Sequence, residues 1–301
     1  MEHLKLNFGD IEQSSILYYD REVDVACVSI CQQLKINNMP DYDSENFYVL
    51  EGNTFRKKKI GNENRLDKEE KIFDNSLIEK FRNNQHSALF VFKGEVLSGV
   101  VHFADYNQTT VLRAIQDDVL TFERKMREYL FLKNFRNEDM IQYFKNRAEQ
   151  SERSRSYFQS RIRQLERRED EINQLGEFQG FTLKDLLEFA NDTQPESIFP
   201  YGKIEFQGKS FYESTLVNSL RNLAMHGQNP VEIDEETSVY SIESLEYLFK
   251  ALKTLETFTY RIEKLIANHT DYRSSVVMEN QSKLQIIHKH NPKALRYFIG
   301  L

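Results

Sequence analysis

VLSGVVHFADYNQTTVLRAIQDDVLTFERKMREYL, residues Val96 to Leu130, changes its period partway along. Val96 to Phe103 is a short apolar run rich in β-branched residues, and Lys93-Gly94-Glu95 before it is a turn. Ser87 to Phe92 is a second apolar run, with two aromatic rings, so the pair predicts a β-hairpin with glycine at its bend. From Thr109 the apolar residues Leu112, Ile115, Val119, Phe122, Met126, Tyr129 and Leu130 recur at three- and four-residue spacing. That spacing predicts a long amphipathic helix. The switch from strand to helix period inside one stretch predicts an α+β chain: a small α/β domain over 1–108, then an all-α, up-and-down helical bundle over 109–301.

Working back from the hairpin, Cys27–Leu34 reads as a short helix, Asn37–Pro40 as a turn and Phe47–Leu50 as a strand. Arg56–Lys59 reads as a charged loop and Leu77–Phe81 as a helical turn. Cys27 and Cys31 share a helix face four residues apart and are expected to be buried, reduced thiols. Working forward, Asn134–Asn137 interrupts the helical period. A second long helix is expected over 138–174, its Arg-rich middle projecting from the bundle or packing on another chain. Thr182 is a natural N-cap with Asp185 three residues on. Pro195, Pro200, Gly202 and Gly208 mark a long loop. A helix is then expected from Ser210, and a last long one from Ile242 through Leu265, followed by a tail from Ser275.

Composition limits the function classes. Of 301 residues, 40% are hydrophobic and 29% charged, and the formal net charge is −7. An acidic chain does not hold nucleic acid by bulk electrostatics. Between Lys145 and Arg168, however, eight Lys/Arg face three Glu, either a solvated helix face or a contact strip for an RNA backbone. No run of 18 apolar residues suggests a membrane span, and the N-terminus lacks the order of a signal peptide. A cytoplasmic location is the expectation.

The segment that reads as chemistry is Ser219-Leu220-Arg221-Asn222-Leu223-Ala224-Met225-His226-Gly227. Arginine offers a permanent, planar, bidentate clamp for phosphate. Imidazole is the side chain that exchanges its proton near neutral pH. On a helix, positions i and i+5 lie roughly 140° apart, so Arg221 and His226 flank an edge of the helix end rather than stack.

Two family resemblances follow from these residues. Gly99-Val100-Val101-His102-Phe103-Ala104-Asp105 resembles the second repeat of a cystathionine-β-synthase-type (CBS) domain pair, over about residues 15–107. The resemblance implies that Asp105 contacts the ribose of an adenine nucleotide, with His102 where the family places a phosphate-touching hydroxyl. Glu51-Gly52-Asn53-Thr54-Phe55, in the first repeat, has no matching aspartate. Arg221-Asn222-Leu223-Ala224-Met225-His226 resembles the motif of the HEPN superfamily (higher eukaryotes and prokaryotes nucleotide-binding), over about residues 110–270. That resemblance implies a metal-independent endoribonuclease, a toxin or defence effector whose site is shared across a homodimer. No cofactor is needed for cleavage, and RNA, an antitoxin or a regulatory nucleotide are the implied partners.

The implied chemistry suits the residues. RNA carries its own nucleophile, the 2′-hydroxyl. One His226 would remove its proton, the other would protonate the 5′-oxygen, Arg221 would stabilise the phosphorane, and Asn222 would orient Arg221 or the phosphate. The products would be a 2′,3′-cyclic phosphate and a 5′-hydroxyl. The alternative is a non-catalytic HEPN-type scaffold or nucleotide-sensing interaction protein. Modification by a nucleotidyltransferase, known for relatives with a tyrosine two residues after the histidine, is not expected, because Gln228 stands there. His86, His288 and His290 lack the neighbours of a metal or catalytic site.

Overall fold

The computed structural model of the chain describes residues 1–150, 152, 155–167, 177–194, 202–206, 208–234 and 240–290, with side chains up to residue 269. The chain is α+β, with small sheets among helices. It divides into two compact units, one of residues 1–121 with 203–256 and one of 122–202 with 257–301. This division cuts across a boundary at 108/109, because the helix carrying Arg221 and His226 groups with the N-terminal sheets.

In the first unit, α1 (Asp24–Leu34) leads to β1 (Asn38–Pro40), β2 (Asn46–Glu51) and β3 (Thr54–Lys59), an antiparallel sheet in that order. Two expectations are corrected here. Asn38–Pro40 is a strand rather than a turn, and Arg56–Lys59 belongs to a strand rather than a loop. The lysines of β3 are mostly exposed, so no apolar alternation marks it. Its register comes from β2, with Lys57 paired to Asp41 at 2.6 Å and Asp43 at 3.1 Å. Gly52, with φ at +67°, sits at the β2–β3 bend, where Glu51–Phe55 was compared with a first repeat.

A second sheet has β4 (Arg65–Asp67) parallel to β5 (Leu89–Lys93), and β6 (Val96–Val101) antiparallel to β5. The expected hairpin is therefore present, with Gly94 at φ +64° in the bend, and α2 (Ser76–Asn83) precedes it. Phe47 of β2 packs with Phe90, Phe92 and Leu97 of this sheet, Phe47 and Phe90 lying 5.2 Å apart. Cys27 and Cys31 are buried free thiols beside Met39, and burial pushes the Cys31 thiol up to about 11.

The rest of this unit is supplied by α3 (Thr109–Leu132) up to Thr121 and by residues 203–256. Lys203–Phe206 (β7) and Lys209–Tyr212 (β8) form a hairpin with Gly208 at φ +71°. This corrects the expected long loop: Ile204, Phe206 and Phe211 alternate with polar residues, as strand residues do. Helix α7 (Glu213–His226) accordingly begins three residues later than Ser210. Ile242 opens α8 (Ile242–His290), capped by Ser241, whose Oγ accepts the Ser244 N–H. That helix runs on through Ser275, where a separate tail was expected, to His290. Phe73, Tyr106 and Phe249 join in edge-to-face and tilted contacts, and Arg82 bridges to Glu246.

In the second unit, α4 (Asn137–Gln150) and α5 (Arg155–Arg167) pack against each other where one projecting helix over 138–174 was expected. Phe144 and Phe158 meet at 5.8 Å, and apolar residues that look sparse on one long helix become the seam of two shorter ones. Thr182 and Asp185 form the expected capping box at the start of α6 (Leu183–Thr193). Three of the eight cations of the basic strip are paired inside this unit. Arg161 pairs with buried Asp185, Arg147 with Asp192 at 3.7 Å and Lys145 with Glu166 at 3.9 Å. Arg153 and Arg168 lie outside the described residues.

The N-terminus is held by one buried carboxylate. Asp118 accepts the backbone N–H groups of Glu2 and His3, at 2.5 and 2.9 Å, and lies 2.5 Å from the His3 ring nitrogen. Both side chains are 2% exposed. Burial alone raises a carboxyl's pKa, but these hydrogen bonds outweigh it and hold Asp118 below the usual range. The ionised form is therefore favoured by folding, a stabilisation that is present above about pH 4 and lost as pH falls through the lowered folded value. Asp118→Ala is expected to cost roughly 3–5 kcal/mol at neutral pH and to flatten the loss of Tm below pH 4, both measured by calorimetry.

Candidate functional site

Helix α7 buries Leu216, Val217 and Leu220 on one side, which leaves Arg221 at the edge of the buried face and turns His226 outward at the last turn. The helix stops because Gly227 takes a left-handed conformation, φ +61°, readily available to a residue without a Cβ. The N–H groups of Gly227 and Gln228 both turn back onto the Leu223 carbonyl. Gln116 of α3 donates to the Met225 sulfur at 3.8 Å, which holds the same turn from the side.

Arg221 is half-buried. Its Nη1 donates to the Asn222 side-chain oxygen at 3.3 Å, while its Nε is buried without a hydrogen-bond partner among the described residues. His226 is exposed and makes no hydrogen bond to either residue. The fold thus brings Arg221 and Asn222 together and leaves His226 at the open helix end, where the unpaired carbonyls favour a cation. Arg221 and His226 of one chain leave the helix in different directions, so one copy offers two separate groups rather than a closed site.

His102 and Asp105 lie elsewhere in the same unit, in the wall of a cavity of about 330 Å³. Leu17, Met39, Pro40 and Val100 supply apolar wall, and Tyr240 stands 5.8 Å from the His102 ring. Both sequence-predicted residues serve the backbone. Asp105 accepts the His102 N–H at 2.8 Å, and His102 Nδ1 accepts the Ala104 N–H at 3.2 Å, so together they cap the 3₁₀ turn Phe103–Asn107. The other nitrogen, Nε2, donates to the Gln85 carbonyl at 3.0 Å in this arrangement. Burial lowers the His102 pKa and raises that of Asp105. Asp105 also accepts from Gln13 at 2.8 Å, and Gln13 is exposed.

A second cavity, of about 350 Å³, runs beside α7 on the Ser219–Leu223 side. Phe206, Phe211 and Tyr247 line it, and the Tyr247 hydroxyl lies 3.0 Å from that of Ser219. No motif marks these three rings. Only the alternation around Gly208 signalled that two of them would share a hairpin.

His86 is exposed, and the side chains of His288 and His290 lie outside the described residues. Among the described residues, no three His, Cys, Asp or Glu side chains converge as a metal-ligand group, and no helix is long and apolar enough to cross a membrane. Compared with protein families, curated proteins and solved structures, the chain matches none.

Because Asp105 closes a capping box, Asp105→Ala should lower stability by roughly 1–2 kcal/mol. Urea unfolding measures it, and an unchanged midpoint would show that the cap is not needed.

Proposed function

We propose that the chain is a metal-independent endoribonuclease acting through Arg221, Asn222 and His226 at a site completed by a second copy. The observation that carries this reading is that the three side chains share the last turns of one helix and that, among the described residues, no hydrogen bond or ion pair ties them to another part of the fold. Asn222 steadies the guanidinium, the buried Nε keeps an unspent donor, and His226 stands free.

In the proposed reaction, His226 of one copy takes the proton of the 2′-hydroxyl, which attacks the adjacent phosphorus. The P–O5′ bond breaks, and His226 of the second copy protonates the departing 5′-oxygen. Arg221 carries the charge that builds on the phosphorane, where a fixed cation is worth most. The two-copy arrangement answers the divergence of Arg221 and His226 within one chain: the histidine that faces a given arginine comes from the other copy. The N-terminal cavity supports a second element of the reading, control of this site by an adenine nucleotide held near Asp105. Gln13 is exposed and can release the carboxylate to a ribose hydroxyl.

Pure full-length protein with RNA in EDTA should yield 2′,3′-cyclic phosphate and 5′-hydroxyl ends. Arg221→Ala and His226→Ala should each reduce the rate by about 10²–10⁴ while sedimentation shows an unchanged dimer. Undiminished cleavage by the His226→Ala protein would sink the proposal, and no cleavage of any RNA by the wild-type protein would favour a scaffold.

A further inference from the structure

The cavity beside α7 is not explained by the cleavage chemistry, yet it opens along the same helix. Leu223, in its wall, is three residues before His226, so the two are neighbours on the helix surface. Gln228, two residues after His226, lines it as well. A group held against Leu223 therefore adjoins the helix end.

The lining has the chemistry of a base pocket. Phe206 and Phe211 come from the β7–β8 hairpin and meet Tyr247 of α8 edge to face, at 5.8 and 6.2 Å. All three rings are half-buried, so each keeps surface toward the cavity. Unstacked RNA bases are held on such rings. The hairpin is itself fixed, since Lys250 of α8 donates to the Glu205 carbonyl at 3.1 Å. The hydroxyl floor is ordered too: Ser219 Oγ donates to the Leu216 carbonyl at 2.7 Å, so the Tyr247 hydroxyl is the donor in their 3.0 Å contact.

The polar rim selects what enters. Glu232 and Glu243 both face the cavity. Glu243 already accepts the Ser241 hydroxyl at 2.9 Å, whereas the side chains of Glu232, Gln228 and Asn229 make no hydrogen bond among the described residues. Two carboxylates repel a phosphate from the interior and accept N–H groups instead. Lys209, at the mouth, suits a phosphate outside.

Resting on the ribonuclease reading above, we infer that this cavity is the base subsite of the RNA substrate, taking one unstacked base next to the scissile phosphate. It favours guanine, whose N1–H and amino group present two adjacent donors to Glu232. Uracil, with one N–H between two carbonyls, fits the same rim worst.

Binding is measured by calorimetry with GMP, AMP, CMP and UMP on full-length His226→Ala protein, so that no step depends on cleavage. GMP should bind best and UMP worst. Phe211→Ala should weaken GMP about tenfold, and Glu232→Gln, an exposed change, should erase most of the preference over UMP. Equal affinity for all four nucleotides, or no binding, overturns the inference. RNA cleavage mapped in parallel separates the two readings. Cleavage by the wild-type protein whose base preference survives both substitutions overturns the subsite and leaves the nuclease standing. GMP binding that both substitutions weaken, with no cleavage of any RNA, supports the pocket and removes the nuclease.

Discussion

The Asn107 carboxamide donates to the Val231 carbonyl at 2.9 Å and accepts the Val231 N–H at 2.8 Å. Val231 is fully buried and belongs to no named strand, so without Asn107 both of its backbone groups would be stranded away from water at a cost of about 1–3 kcal/mol each. Asn107 closes the turn between β6 and α3, and Val231 follows the motif helix by five residues. One side chain therefore ties the N-terminal sheets to the segment that ends α7. The ring cluster of Phe73, Tyr106 and Phe249 and the Arg82–Glu246 pair reinforce the same union. Through it, residues from the first 121 help to set where Arg221 and His226 stand.

Two histidine-containing segments of this unit contrast in how the fold spends them. His102 and Asp105 sit at a strand-to-turn junction, where exposed backbone N–H groups need acceptors, and both side chains meet that need. Arg221 and His226 sit at a helix C-terminus, where the open groups are carbonyls and Gly227 and Gln228 already turn back to satisfy one of them. The side chains there are not drawn into capping. That difference in local demand, rather than the appeal of either motif, makes the helix end the better candidate for chemistry.

The basic strip over 145–168 shows how charge in sequence differs from charge in space. On one straight helix, eight cations would form a band suited to a phosphate backbone. Because α4 and α5 pack together beside α6, Arg161, Arg147 and Lys145 meet Asp185, Asp192 and Glu166. The positive charge left on this face is correspondingly smaller.

What could be read from the sequence was whatever depends on near neighbours. The β5–β6 hairpin follows from Gly94 and flanking β-branched runs, α3 from its apolar spacing, and the start of α6 from Thr182 and Asp185. The end of α7 follows from Gly227. Each is set within about four residues of chain, where backbone sterics and capping act. The tertiary structure decided the rest. β3 is a strand because β2 pairs with it, although its lysines carry no apolar signal. Over 138–167 the helical period divides into two helices that meet through Phe144 and Phe158. Phe206, Phe211, Ser219 and Tyr247 form one cavity because residues about 30 to 40 positions apart pack together, a relation that no local pattern encodes. The sequence by itself determined the segments that near neighbours fix and marked Arg221, Asn222 and His226 as candidates; packing decided the remaining strands and what surrounds each side chain, since burial and hydrogen-bond supply belong to the folded whole.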